Sequence, residues 1–301
     1  MKKGILFIIL SGICFLLVNF FVKLFGQSGE GNHFFSHNFQ YIPAHELVLA
    51  RSLVSFFISA TVIKIKGYPF FGVNKKWLVV RGISGTIALT IFFMTIQNLP
   101  FAIAAVIQYL APIFTMLFTM ILIGDRIYKV QWIFVAFAFI GVALISLQDL
   151  ISSQDGISID YLWLGLGMLS ASISGIAYTA IVKLKSTDHP INIVLYFPMV
   201  SIPFMVLWCM FDFVQPIGIE WVFLLLIGVF TQFAQILLTK ALHFGSASVI
   251  VPFQYLGIIY ALLIGLFIFD ERLNVIVYLG VFLILAGVLL NTVFRHVYKE
   301  T

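Results

Sequence analysis

Charge is what this sequence has least of. Only 10% of its 301 residues are Asp, Glu, Lys or Arg, where a soluble domain carries about 25%. Hydrophobic residues make up 62% and the mean hydropathy is +1.11. Too little polar surface remains to face water on all sides, which excludes a soluble globular class. Cysteine is nearly missing as well. Cys14 and Cys209 both lie in apolar runs, so neither a disulfide framework nor a cysteine zinc site is implied. No HExxH, GxSxG, Walker or GxGxxG pattern occurs. Gly245-Ser246-Ala247-Ser248 resembles a nucleophile turn but lacks the closing glycine and a nearby acid. No carboxylate falls in the middle of a long apolar run, which counts against a proton relay of the Asp/Glu type. We therefore expect no enzyme, no cofactor and no metal. The net charge of +5 and pI near 9.1 would suggest nucleic acid in a soluble chain. Here the basic residues sit at the ends of apolar runs, where membrane topology accounts for them, so no nucleic-acid partner is expected.

What the chain does have is long apolar runs and 33 phenylalanines, read as lipid-facing and packing residues. A membrane helix needs about 20 apolar residues. On that measure the spans are Gly4–Phe25, His45–Ile65, Trp77–Asn98, Phe101–Ile123, Val130–Leu147, Tyr161–Val182, Ile191–Phe211, Trp221–Leu242, Ala247–Phe269 and Val275–Phe294. The first run follows Met1-Lys2-Lys3 like a signal peptide. It is longer than an h-region of about 7–15 residues, so it reads as a retained first span. If the ten spans alternate, Lys2, Lys3, Lys64, Lys66, Lys75, Lys76, Arg126, Lys129, Lys183, Lys185, Lys240, Arg295 and Lys299 share one side. The opposite loops carry Glu30, Glu46, Asp149, Asp155, Asp160, Asp212, Glu220, Asp270 and Glu271, with Arg272 as the one clear loop cation. The positive-inside rule then places both termini in the cytoplasm of a multi-pass inner-membrane protein.

Residues 101–145 recur as residues 247–291 after a gapless shift of 146. Gln108-Tyr109-Leu110 falls on Gln254-Tyr255-Leu256, Asp125-Arg126 on Glu271-Arg272, and Gly141-Val142 on Gly287-Val288. Such internal symmetry is a feature of secondary transporters. Five spans per half is an odd number, so the second half must enter the membrane upside down. The fold class expected is therefore an all-α integral membrane protein, ten transmembrane helices as two inverted five-helix repeats, residues 1–150 and 151–301. Val22-Lys23-Leu24 recurs as Val182-Lys183-Leu184 at an offset of 160. The extra 14 residues fit the external loop Gly26–Ala44, read as an interfacial segment. His33, His37, His45 and Glu46 are spaced too loosely for a convincing metal site.

Polar groups inside lipid are costly and usually face a cavity or another helix. Arg51 lies about 10 Å along its helix at 1.5 Å per residue. It either meets an anionic solute group near the outer mouth, or bonds backbone carbonyls and ties helices together. Arg81 and Lys240 lie near cytoplasmic ends and are expected to snorkel outward. Pro112 has no N–H for the carbonyl of Gln108, which places a free acceptor, the Gln108 amide and Tyr109 at one level. Gln254 and Tyr255 repeat the pair, but Pro252 sits earlier, so the two kinks are unequal. Gln232, Gln235, Thr239 and His243 share one helix face, and Thr86, Thr90 and Gln97 form a similar stripe on the third span; together they are expected to line a polar path. Asn19 and Tyr178 sit near midspan. Ser170, Ala171, Ser174 and Gly175 read as a packing face. Pro198 and Pro203 suit a bent or moving helix.

With these residues in view, the chain resembles the EamA family of the drug/metabolite transporter superfamily. The resemblance rests on Arg51, Arg81-Gly82, the Leu99-Pro100-Phe101-Ala102 turn, Pro112, Asp125-Arg126, Glu271-Arg272, Gly141-Val142 and Gly287-Val288, and covers nearly the whole chain as two repeats. It implies a ten-helix carrier with alternating access and a central cavity lined by spans one, three, four, six, eight and nine. Many members look like exporters of amino acids or other small metabolites. The expected solute contacts are Arg51, Gln108, Tyr109, Gln232, Gln235, Gln254, Tyr255, Asn19 and Tyr178, with Pro112 and Pro252 as kinks. The expected partners are a small-molecule solute and the lipid bilayer, the protein being a monomer or homodimer. A passive channel, or a membrane-embedded enzyme or assembly subunit, is the alternative.

Overall fold

The computed structural model describes residues 2–26, 39–124, 128–151, 160–184, 186–244 and 256–297. The described residues form eleven helices and no strand. These are α1 (Lys2–Leu24), α2 (Ala44–Lys66), α3 (Lys75–Asn98), α4 (Phe101–Gln108), α5 (Ala111–Ile123), α6 (Lys129–Ile151), α7 (Tyr161–Leu184), α8 (Pro190–Cys209), α9 (Glu220–Phe244), α10 (Leu256–Ile268) and α11 (Val275–Val297). Eight stretches are long and apolar enough to cross a membrane, with α4 and α5 counted together as Phe101–Ile123; Leu256–Ile268 and Val275–Asn291 are shorter apolar helices.

Local chemistry sets the ends. Gly67 closes α2 at φ 67°, its N–H returning to the Ile63 carbonyl, a left-handed conformation that a Cβ would oppose. Leu99 is extended, at φ −105° and ψ 161°, as the residue before a proline must be; this separates α3 from α4. Pro198 and Pro203 both lie inside one uninterrupted α8.

The most extensive pairings join the two parts of the chain: α1 on α9, α3 on α7, α2 on α8, α6 on α11, α5 on α7, α2 on α9 and α3 on α8. Close backbone approach supports several of them. A Cβ on Gly280 would lie 2.6 Å from the Gly141 carbonyl oxygen, and one on Gly141 would strike the Gly280 carbonyl. Phe25, Phe93 and Phe101 are wholly buried, whereas Phe57, Phe211 and Phe267 are 66%, 90% and 78% exposed. Apolar side chains facing outward gain nothing in water but match lipid tails.

Buried polar side chains tie the helix ends. Glu46 Oε1 accepts from the Val214 N–H at 2.6 Å, and His45 Nε2 meets the Asp212 carbonyl at 2.7 Å while its ring stacks on Trp208. At the other end, Asp188 accepts from the Val73 and Asn74 N–H groups at 2.5 and 3.2 Å, and the Asn192 amide donates to the Pro69 carbonyl at 2.9 Å. His45 and Glu46 are thus both engaged with the α8–α9 connection. His33 and His37 lie outside the described residues, and no metal-holding group of three His, Cys, Asp or Glu occurs among those that are described.

Candidate functional site

The fourth apolar run is not one helix. α4 ends at Gln108 and α5 begins at Ala111, with Tyr109 and Leu110 between them. The bonds tighten there: Tyr109 and Leu110 donate to the Val106 and Ile107 carbonyls, three residues back, at 3.0 Å each. Ile113 likewise reaches Leu110 at 2.9 Å. Pro112, at the start of α5, offers no N–H to the Gln108 carbonyl. The break puts the Gln108 side chain against α7: its Nε2 donates to Ser174 Oγ at 3.0 Å, and its Oε1 accepts from Ser170 Oγ at 3.2 Å. Ser170 also donates to the Ala88 carbonyl on α3 at 2.8 Å. The serines expected only to pack therefore hold the amide, while Gly175 does pack, a Cβ there lying 2.6 Å from Phe114 Cβ. The Tyr109 hydroxyl lies directly over Gly257 of α10, where any side chain would collide with it. Gln108 and Tyr109 thus sit where α4, α5, α7 and α10 meet.

A second cluster forms around Phe197 of α8. The Arg51 Cζ lies 5.4 Å from the Phe197 ring centroid and 6.0 Å from that of Phe93. The Arg81 Cζ lies 5.7 Å from Phe197. Arg81 does not snorkel toward the near end of α3. Its guanidinium folds over Gly85, one turn further in, where a Cβ would meet it and would lie 3.0 Å from Phe197 Cδ2. The missing side chain at Gly85 is the sequence signal for this route. Arg51 is 9% exposed, and neither arginine bonds a backbone carbonyl among the described residues. The Nε of each is buried without a hydrogen-bond partner. Tyr178 of α7, 44% exposed, lies within electrostatic range of both cations.

Gln232 of α9 takes part in neither cluster and is spent on α2: its Oε1 accepts from Ser55 Oγ at 2.6 Å and its Nε2 donates to Ser59 Oγ at 3.3 Å. Gln235 and Asn19 are half-buried on α9 and α1. On α3, Thr86 and Thr90 donate to carbonyls of their own helix at 2.8 and 2.9 Å, and Gln97 donates to the Phe25 and Ile42 carbonyls at 3.2 and 2.8 Å. The donors of that stripe are taken up by backbone carbonyls, while Gln97 Oε1 is buried without a partner among the described residues. Pro252, Gln254 and Tyr255 lie outside the described residues, as do Asp125 and Arg126 and the side chains of Thr239, Lys240 and His243.

One polar junction has no counterpart among the sequence expectations. Lys23, at the end of α1, and Glu271, in the α10–α11 turn, are 6% and 8% exposed and 4.0 Å apart. Lys23 Nζ donates to the Leu99 carbonyl at 2.6 Å, while Glu271 accepts from the Phe101 and Ala102 N–H groups at 2.6 and 3.3 Å. The carboxylate caps the N-terminus of α4, where the helix dipole favours an anion. Burial pushes the Glu271 carboxyl above its ordinary range, outweighing the opposite pull of Lys23 and the two N–H donors.

This arrangement can be set beside known proteins. The model of the EamA-like transporter family matches residues 2–147 and again residues 161–293. The pseudopaline exporter CntI of Pseudomonas aeruginosa is 28% identical over 265 residues, covering 86% of this chain and 85% of that protein. An uncharacterized transporter of Helicobacter pylori is 26% identical over 301 residues, covering 95% and 93%. Mouse solute carrier family 35 member G1 is 24% identical over 280 residues, covering 89% and 72%. One solved crystal structure matches at a TM-score of 0.62 over 99% of both chains with 16% identity, a likeness of fold alone. The helices are apolar enough to span a membrane, no enzyme motif competes, and the family model matches each half of the sequence. The chain belongs to the EamA-like transporter family and is a multi-pass membrane transporter.

Proposed function

We propose that the protein is a secondary carrier that exports small metabolites, such as amino acids or related solutes, across the cytoplasmic membrane by alternating access. Its ten spans form two inverted five-helix repeats, residues 1–150 and 151–301, with both termini cytoplasmic. The observation that carries this reading is that contacts between the halves come in exchanged pairs. A Cβ on Gly82 would press on Val200, and one on Gly228 would press on Val54; a shift of 146 converts either contact into the other. Gly141 against the Gly280 carbonyl becomes Gly287 against the Phe134 carbonyl under the same shift. Ser170 donates to the Ala88 carbonyl at 2.8 Å and Ser11 to that of Ala234, the counterpart of Ala88, at 2.7 Å, the two serines standing one residue out of the 160-residue register. A pseudo-two-fold arrangement with nearly equivalent halves can exchange two states related by that rotation. The relative named as an exporter supports the direction.

The solute would meet Gln108 and Tyr109 at the broken span, and Gln254 and Tyr255 on the opposite repeat. Asn19, Gln235 and Tyr178 would line the approach, with Arg51 toward the outer half. Gln232 would hold α2 to α9 beside it. Unequal kinks at Pro112 and Pro252 would make the two half-sites inequivalent. The purified protein in liposomes should show saturable uptake with counterflow; a large linear flux would identify a channel instead. Gln108→Ala and Gln254→Ala should each lower transport at unchanged expression, and full activity in both would sink the site assignment.

A further inference from the structure

The Phe197 cluster carries more than a mouth residue. Two guanidiniums share one aromatic ring inside the helix bundle, and their charges repel. The ion pairs among the described residues are Lys23 with Glu271 and Arg272 with Asp270; neither involves these arginines. Glu46, the acid on the same helix as Arg51, holds the Val214 N–H at the helix end with Oε1, its Oε2 has no partner among the described residues, and it is not among the charges acting on Arg51. Cation–π contacts attract a cation only modestly, less than it costs to hold an unpaired ion out of water. Among the described residues the cluster lacks an anion.

We infer that Arg51 and Arg81 form an anion subsite around Phe197 that takes a carboxylate group of the transported solute. The inference rests on the carrier reading above and names the chemistry of its cargo. Three features point this way. First, Arg81 is routed inward over Gly85, away from the helix end where water would hydrate it. Second, both Nε atoms are sealed from water without a partner, and an arginine Nε–H and Nη–H form the planar fork that grips a carboxylate with two parallel bonds. Third, Tyr178, 44% exposed and within electrostatic range of both cations, borders the same site. Phe197 is an apolar spacer whose ring lies within 6 Å of both guanidinium carbons. Arg51 and Phe197 occupy equivalent positions under the 146-residue shift. One repeat therefore provides the cation and the other the ring on which it rests, and a movement of one half against the other would open or close the subsite.

The test is ligand stabilisation of the purified full chain in nanodiscs, since a bound ligand raises apparent stability. The probes are glutamate against glutamine, aspartate against asparagine, and succinate against succinamide, with sodium chloride at matched ionic strength. At least one carboxylate should raise the melting temperature where its amide does not. Its affinity should fall tenfold or more in Arg51→Lys and in Arg81→Lys, which keep the charge but lose the fork. Gly85→Ala, which retains both arginines but blocks the path of Arg81, should give a comparable loss. Lys183→Ala, an exposed cation at the end of α7, should bind as the unaltered protein does. Equal stabilisation by acid and amide, stabilisation by chloride alone, no stabilisation by any carboxylate, or affinities within twofold in both lysine variants overturns the subsite. If a lysine variant does not fold, the acid–amide comparison and Gly85→Ala still decide. Saturable counterflow of any solute without carboxylate preference leaves the carrier reading standing while the subsite falls. Linear flux alone removes the carrier reading and leaves the binding result to be judged by itself.

Discussion

The Lys23–Glu271 junction permits a quantitative test. At 4.0 Å and an effective dielectric of about 20, two unit charges attract by about 4 kcal/mol. Burying each ion costs several kcal/mol, so the pair as a whole contributes little net stability relative to a neutral pair of the same shape. Removing one partner is different. Glu271→Gln leaves a buried ammonium held only by the Leu99 carbonyl and should cost about 3–5 kcal/mol. Lys23→Met should cost less, because Glu271 keeps its two backbone N–H donors. The double variant Lys23→Met/Glu271→Gln should recover much of the loss and give a coupling of about 1–3 kcal/mol, against additivity within about 0.5 kcal/mol for independent sites. Equilibrium unfolding in mixed micelles measures all four corners of the cycle. A coupling below about 0.5 kcal/mol would refute the claim that these two side chains act as one junction between α1, α4 and the α10–α11 turn.

Two further outcomes follow from the same geometry. Because burial raises the Glu271 carboxyl, the folded protein holds a proton there that the unfolded chain has already released. That contribution is complete below the unfolded value, and stability falls as pH rises through the raised one; melting temperatures from about pH 4 to 8 should show this slope, and Glu271→Gln should remove it. Gly141→Leu forces a side chain into the Gly280 carbonyl and should destabilise by about 1–3 kcal/mol, read as a lower melting temperature in detergent; an unchanged value would show that α6 and α11 do not approach as described.

Much of the helical architecture was legible in the sequence because the bilayer demands long apolar runs, and charge marks where they end. The break near Pro112 was legible because a missing N–H has a definite partner four residues back. What those faces meet was harder to read. The periodicity of Gln232 and Gln235 identifies a stripe on α9, but nothing local says that Ser55 and Ser59 of α2 wait opposite Gln232. Distance from a helix end suggested snorkelling for Arg81, and only the absence of a side chain at Gly85 lets the guanidinium turn inward. Lys23 and Glu271 are separated by most of the chain, so their meeting depends on tertiary packing that no window of sequence contains.

The central claim, that two inverted halves alternate access to one site, can be tested by paired distance measurements. Phe211 and Phe267 lie at one end of the molecule, exposed by 90% and 78%; their counterparts under the 146-residue shift, Ile65 and Ile121, are exposed by 75% and 67%. With Cys14 and Cys209 replaced by serine, spin labels at each pair report the two ends separately. Our account predicts opposed changes on adding a transported solute: one pair separates as the other closes. Two pairs that widen together, or distances that ignore a solute known to be transported, would contradict it.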